Sequence, residues 1–207
     1  MERELESEVA KAKAGLRAEL KARLEALDEA GARERAGRMQ ERVLALPEVV
    51  RSRRIFTCLS FGREIDTWGL VDRLLREGKE VFVPRTERGD PRIHVHRYPC
   101  PLRTLSFGLR QPVPAAPEVL PEAVDETLEV ALILGLGFDR RGNRLGYGAG
   151  FFDRFLLGRS FPAVGLAYGF QLLDRLPTEP HDLPMAAVVT DESVLGAGPT
   201  GSFRTGP

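Results

Sequence analysis

The chain has 207 residues, with 30 basic and 30 acidic side chains and no net charge. That balance excludes a chain-wide basic footprint for nucleic acid or membrane, so any anion site must be local. A hydrophobic fraction of 43% is enough for a real core, and the length suits one domain with a helical extension.

Residues 2–46 read as an N-terminal helical pair, broken near Ala30-Gly31. In the first helix Leu5, Val9, Leu16, Leu20, Leu24 and Leu27 recur at three- and four-residue steps and cover one side. Lys13 lies inside that apolar arc and Arg17 on its edge. An inward cation is costly unless an anion meets it. Both therefore snorkel outward, pair with a carboxylate, or reach a bound phosphate. In the second helix, Ala32 to Leu46, a stripe of Ala36, Met39, Val43 and Leu46 suits packing against the domain, and Pro47 is expected to end it.

Arg54 to Ser60 reads as a strand, with Cys58 as a buried small hydrophobe rather than a nucleophile. The two cysteines, Cys58 and Cys100, the lack of a secretory pattern and the lack of a long apolar run lead to the expectation of a cytoplasmic protein. A helix follows from Trp68 to Arg76, with Asp66 or Thr67 as N-cap and Gly78 as C-cap. Glu64 has no capping job. It stands beyond the strand's carboxyl end, where open α/β sheets bind ligands, although a loop glutamate is usually just solvated. Glu80 to Pro84 is the next strand, parallel to the first through a right-handed crossover. Pro91 to Tyr98 alternates, placing Ile93 and Val95 on one face. His94 and His96 on the other are expected at the surface, since no third zinc ligand stands at a useful spacing. Leu102 to Pro121, rich in proline, reads as loop.

Val130 to Leu134 is a branched apolar run, a buried strand. The loop Gly135 to Gly150 carries Asp139, Arg140, Arg141 and Arg144 and closes with Gly146, Gly148 and Gly150 at every second position. Phe151, Phe152, Phe155 and Leu156 then fall at helical spacing. Strand, glycine loop and helix together bring backbone N–H groups to an anion. Arg144 suits phosphate oxygens, and Asp153 is a hard oxygen ligand of the kind Mg²⁺ accepts. The spacing is neither a Walker A loop nor the dinucleotide fingerprint, and a plain structural turn with positive-φ glycines is the alternative. Ala163 to Ala167 and Ala186 to Thr190 complete the strands, and His181-Asp182 between them reads by itself as an ordinary turn pair. The pattern makes residues 1–195 one α/β domain: three layers, a mostly parallel sheet flanked by helices, with 1–46 packing on it. Residues 196–207 are expected to be a disordered tail. Such a layout gathers cations, amides and carboxylates at one sheet edge, as phosphoryl transfer requires.

Gly135, Phe138, Asp139, Gly142, Arg144, Gly146, Gly148, Gly150 and Asp153 resemble the signature of the 5-formyltetrahydrofolate cyclo-ligases (5,10-methenyltetrahydrofolate synthetases). Lys13 to Arg17 resembles that family's K-x-x-L-R element. Glu64-Ile65-Asp66-Thr67 is similar to its E-[IV]-[DE]-T element, and Phe107 to Pro112 to its F-G-[IL]-x-E-P turn. Asp182 falls where the family has a His-Asp pair. Tyr147 replaces an often basic residue, Phe151-Phe152 a pair of tyrosines, and Gln111 a glutamate.

The resemblance implies ATP-dependent closure of 5-formyltetrahydrofolate to 5,10-methenyltetrahydrofolate, with ADP and phosphate released. It implies that Lys13, Arg17 and Arg144 bind ATP oxygens, with Lys13 and Arg144 as charge stabilisers. Leu145, Gly146, Tyr147, Gly148, Ala149, Gly150, Phe151 and Phe152 would cradle the phosphates. Leu59 and Glu64, with residues 147–151, would border the folate. Asp153 and Asp182 would hold Mg²⁺. The implied partner is a small molecule, with no nucleic acid or membrane. A non-catalytic nucleotide- or folate-binding protein of the same fold is the alternative that the departures leave open, and a sugar-phosphate enzyme ranks last.

Overall fold

The computed structural model describes residues 2–179, 182–197 and 203–206, and side chains for 7–179 and 182–196. Leu5's side chain, His181 and the expected tail residues 198–202 and 207 lie outside the described residues.

The chain opens with helices α1 (Glu2–Glu25), α2 (Glu29–Leu44) and the short α3 (Pro47–Arg51). The break after α1 falls earlier than Ala30-Gly31, because the Asp28 carboxylate takes the Gly31 N–H at 2.8 Å and caps α2. Pro47 does not simply end a helix. It starts α3, at the first helical position, where its missing N–H costs nothing.

Strand β1 (Arg54–Thr57), helix α4 (Trp68–Arg76) and strand β2 (Glu80–Glu87) form the expected parallel unit, with Ile55 opposite Val81. Strand β3 (Asp90–Tyr98) returns antiparallel to β2. The stretch expected to be loop is not irregular throughout: β4 (Leu102–Thr104) and β5 (Arg110–Pro112) make a hairpin, and β6 (Glu118–Val119) pairs with β3. These pieces are too short to show a period, which is why composition alone hides them.

Helix α5 (Val124–Thr127) leads to β7 (Val130–Leu134), parallel to β1 on the side away from β2. The long loop then folds on itself as β8 (Gly137–Asp139) and β9 (Arg144–Leu145), an antiparallel pair. Asp139 is fully buried and holds that hairpin, accepting the N–H groups of Arg141, Asn143 and Leu176 at 2.9–3.0 Å. Helix α6 (Phe151–Leu156), β10 (Ala163–Ala167), β11 (Leu172–Leu173), β12 (Ala187–Thr190), β13 (Val194–Ala197) and β14 (Phe203–Gly206) follow. The last departs from the expected disorder, since Phe203–Gly206 pairs with β13.

The main sheet runs β14-β13-β12-β10-β7-β1-β2-β3-β6, parallel from β12 to β2. Alternate residues feed two apolar layers. Ile55, Val81, Val130, Leu132 and Val164 pack beneath α2 and α4, and Phe56, Phe82, Ala131 and Ile133 pack with Phe155 and Leu156 of α6. The fold is thus the three-layer, mostly parallel arrangement. From β1 the chain moves first to β2 and later to β7 on the opposite side, so the strand order reverses at β1 and opens a crevice at the carboxyl ends of β1 and β7. No helix among the described residues is long and apolar enough to cross a membrane.

Candidate active site

That crevice holds a cavity of about 360 Å³. Cys58, Leu59, Phe61 and Glu64 line it after β1, and Leu134 and the segment 144–153 line it after β7. Lys13 and Arg17 close it from α1, Glu179 and Asp182 from the stretch before β12, and Phe107, Leu109, Arg110 and Gln111 from the β4–β5 hairpin. Every residue singled out from the sequence as a site candidate lines this one cavity: Lys13, Arg17, Leu59, Glu64, Arg144 to Asp153, and Asp182. The sequence reading assigned no site role to Phe61, Thr86, Ile93, Leu109, Arg110 or Glu179. Only the turn Phe107 to Pro112 carried a signal for its own segment.

Each wall has a local cause. Leu20 packs with Leu145 and Leu176, which seats α1 against the β8–β9 hairpin and brings the next turns of the helix over the crevice. The β1–α4 loop is stapled by Thr67, whose hydroxyl donates to Cys58 O at 2.7 Å and accepts the Ser60 N–H at 2.9 Å. Asp66 takes the N–H groups of Trp68 and Gly69 at 2.9 and 3.1 Å, so it is Asp66 that caps α4 while Thr67 serves the loop. Glu64 is left to face the cavity. Its carboxylate accepts the Phe61 N–H at 3.0 Å and the Tyr147 hydroxyl at 2.9 Å. Burial outweighs those bonds and raises its pKa to about 7. Burial beside Glu64 likewise pushes the Tyr147 phenol up. Cys58 is buried, with its thiol pushed up to about 12, so it is not a nucleophile at neutral pH.

The cations here are already matched. Lys13 is buried and meets Glu179 at 2.5 Å and Asp182 at 2.7 Å. Burial works against its charge, yet the bonds to Asp182 and Glu179 win and its pKa is raised. Arg144 meets Asp153 at 3.0 Å and lies 5.4 Å from the Phe152 ring centre. Arg17 donates to Gly146 O at 2.9 Å.

Between these arginines runs the glycine turn. A Cβ on Gly146 would come 2.5 Å from Arg144 Nη1, so only glycine lets that guanidinium lie against the backbone. Gly148 and Gly150 have φ of +106° and +65°, which other residues rarely adopt. Among the described residues, no backbone acceptor takes the N–H groups of Gly146 to Gly150. Arg144 Nε, which is buried, has no hydrogen-bond partner among the described residues. A buried donor left open, as Arg144 Nε is, calls for an acceptor from outside the chain, and the half-buried to exposed amides of the turn are free to share it.

Residues 9–191 match the model of the 5-formyltetrahydrofolate cyclo-ligase family. The chain belongs to that family. It is 30% identical to the 5-formyltetrahydrofolate cyclo-ligase of Mus musculus over 88% of this chain and 95% of that protein. It is 32% identical to the Escherichia coli K12 cyclo-ligase over 74% of this chain and 86% of that one. Among solved structures, the NMR structure of Aquifex aeolicus 5,10-methenyltetrahydrofolate synthetase superposes with a TM-score of 0.74 at 30% identity, covering 88% of this chain and 91% of that one.

The places where this cyclo-ligase departs from the signature have physical roles. Phe151 and Phe152 offer ring faces to Arg154 and Arg144, each 5.4 Å away, a contact that needs no hydroxyl. Tyr147 spends its hydroxyl on Glu64. Gln111 accepts the Thr86 N–H at 3.0 Å and donates to Thr86 O at 2.9 Å, pinning the β5 edge of the hairpin to β2. A glutamate carboxylate could make only the first of those bonds.

Proposed function

We propose that this chain catalyses ATP-dependent conversion of 5-formyltetrahydrofolate to 5,10-methenyltetrahydrofolate, releasing ADP and phosphate. The observation that carries the reading is the set of unspent donors on one cavity wall, Arg144 Nε and the glycine-turn amides, opposite a carboxylate whose pKa is about 7.

A formamide oxygen is a poor leaving group. The formyl oxygen attacks the γ-phosphorus, the bond to ADP breaks, and an imidate phosphate forms. N10 then attacks the former formyl carbon. Phosphate departs with the electrons of the C–O bond, and N10 loses its proton as the ring closes. No protein nucleophile is required, and positioning with charge neutralisation carries such a transfer.

In this reading Arg144, Lys13 and Arg17 hold ATP oxygens and the turn from Leu145 to Phe152 cradles the phosphates. Leu59 gives an apolar contact to the folate. Glu64 accepts hydrogen bonds from the donor edge of the pterin, and charge on its carboxylate strengthens them.

The chemistry of the donor set fits Mg²⁺. Mg²⁺ is commonly held by one or two carboxylates plus phosphate oxygens. Asp153 and Asp182, each now matched by a cation, would hold the ion, which would supply neutralisation of phosphate charge.

The test is absorbance of the methenyl product from purified protein, with and without ATP and Mg²⁺. Product that forms only with both is the expected result. Nucleotide binding without product would leave the non-catalytic reading standing instead.

A further inference from the structure

Arg154 stands outside the cavity, on the far side of the glycine turn, and none of the roles above uses it. Its side chain is exposed, yet two of its three nitrogens are engaged. Nη2 donates to Ala149 O at 2.7 Å and Nε donates to Pro91 O at 3.1 Å. Its guanidinium lies 5.4 Å from the Phe151 ring centre, and Nη1 would sit 2.8 Å from a Cβ on Gly150. One rigid fork thus joins β3, the turn and the first residue of α6.

The consequence lies in the peptide plane. Among the described residues the only cis peptide bond is Tyr98–Pro99, so the Ala149–Gly150 unit is trans. In a trans unit the C=O and N–H point in opposite directions. Drawing the Ala149 carbonyl outward to Arg154 therefore turns the Gly150 N–H inward, to the cavity wall that Ala149 and Gly150 line. The glycines at 148 and 150 make this unit easy to flip if nothing holds it. A flipped unit would aim a carbonyl oxygen at the phosphate site in place of a donor.

We infer that Arg154 is a positioning residue for the nucleotide: without touching it, Arg154 clamps the Ala149 carbonyl so that the Gly150 amide stays available to a phosphate oxygen. This rests on the ATP-binding reading of the cavity. It goes beyond that reading by assigning the turn's active conformation to a residue outside it.

The experiment measures affinity of the wild type, Arg154→Ala, Arg154→Lys and Arg159→Ala for a non-hydrolysable ATP analogue with Mg²⁺, and separately for 5-formyltetrahydrofolate. Thermal stability and the Gly150 amide resonance are followed in the same samples. Arg154→Ala is expected to weaken nucleotide binding by about tenfold, the worth of one hydrogen bond to a charged group. Melting temperature should stay as in the wild type, because the side chain is exposed, and folate affinity, to which the turn contributes only a border, should fall less than nucleotide affinity. Arg154→Lys, which keeps one donor, should fall between, and millimolar guanidinium should restore Arg154→Ala. Arg159→Ala, which removes a neighbouring guanidinium that donates to Phe155 O, should bind nucleotide normally. The Gly150 resonance should move on adding the analogue to wild type and not in Arg154→Ala.

Unchanged nucleotide affinity in Arg154→Ala overturns the inference, as does a uniform loss of both affinities together with melting temperature. A wild type that binds nucleotide but makes no methenyl product sinks the proposed reaction and leaves Arg154 judged by the affinities. A wild type that binds no nucleotide sinks both.

Discussion

Two polar clusters lie close to this sheet, and they are finished differently. Under β3, Arg85 donates from Nε to His96 Nε2 at 3.2 Å and from Nη1 to Glu87 at 2.7 Å. His96 Nδ1 then donates to Pro117 O at 2.9 Å, and His94 sits between Glu118 at 2.8 Å and Asp90 at 3.2 Å. The protein completes every one of those ring and guanidinium bonds internally. At the cavity, by contrast, Arg144 keeps a buried Nε without a partner, and the glycine turn keeps its amides open. A buried donor left unmet costs about 1–3 kcal/mol. Arg103 Nε in β4 is left unmet too, so it is the combination of Arg144 with an open glycine turn at a cavity that points to a ligand. In the proposed reading, the difference separates a cluster that holds the fold from one that takes a substrate.

The largest break in that contrast comes from Arg144→Ala. It removes the open donor and leaves Asp153 without its cation. Turnover is expected to fall by at least about a hundredfold, the usual result of deleting one charge stabiliser. Steady-state kinetics checks it, and near-normal turnover would remove Arg144 from the site. Gly146→Ala is the sharper version, since it keeps the charge and only pushes the guanidinium away from the backbone. It should lose about tenfold or more in kcat, with the fold intact by circular dichroism.

Glu64 gives a pH signature next. Its pKa of about 7 lies above the ordinary value of 4.5, because burial disfavours the charge. Folate binding that needs the carboxylate should tighten as pH rises through 7, so KM for the folate falls between pH 6 and 8 while KM for ATP does not. Glu64→Gln should flatten that profile and raise the folate KM. Stability runs the other way. The unfolded chain ionises near 4.5, so the native protein loses stability as pH rises from there to about 7. Glu64→Gln is therefore more stable than the wild type at pH 8, on the order of 2 kcal/mol. A folate KM with no pH dependence, or a variant less stable at pH 8, would count against this account of Glu64.

Much of this was legible before any coordinates. The β1–α4–β2 unit announced itself by periodicity, the β7 strand by an unbroken run of branched apolar residues, and Lys13, Glu64, Arg144 and Asp182 by resemblance to a signature. What escaped was set by pairing over long separations. Glu179 joins the site only because Lys13, 166 positions earlier, reaches it. Asp139, a position of the signature with no role assigned from sequence, is spent on the hairpin's own backbone. The hairpin that carries Phe107 and Arg110 is built from strands of 3 residues, too short to show an alternation. His94 and His96, expected at the surface, are buried because β6 covers the edge of β3 and supplies Glu118 beside Pro117.

That reversal supplies the smallest prediction for catalysis, in the finished cluster. His96 is fully buried and its pKa is lowered, chiefly by burial, so the folded ring is neutral. It accepts from Arg85 at Nε2 and must carry its proton on Nδ1 for Pro117. The unfolded chain takes up a proton near the ordinary value of 6.5, while the folded chain resists it. Stability contributed by the neutral ring is therefore present above 6.5 and lost as pH falls below it. Denaturant midpoints should drop between pH 6.5 and 5, and His96→Gln should blunt that drop while costing about 1–3 kcal/mol at pH 7.5. Turnover and both KM values at pH 7.5 should stay within about twofold, since this buried cluster shares no hydrogen-bond partner with the site. If His96→Gln instead moved the nucleotide KM, the cluster would be part of the site, and the distinction between closed and open polar groups would not mark function in this fold.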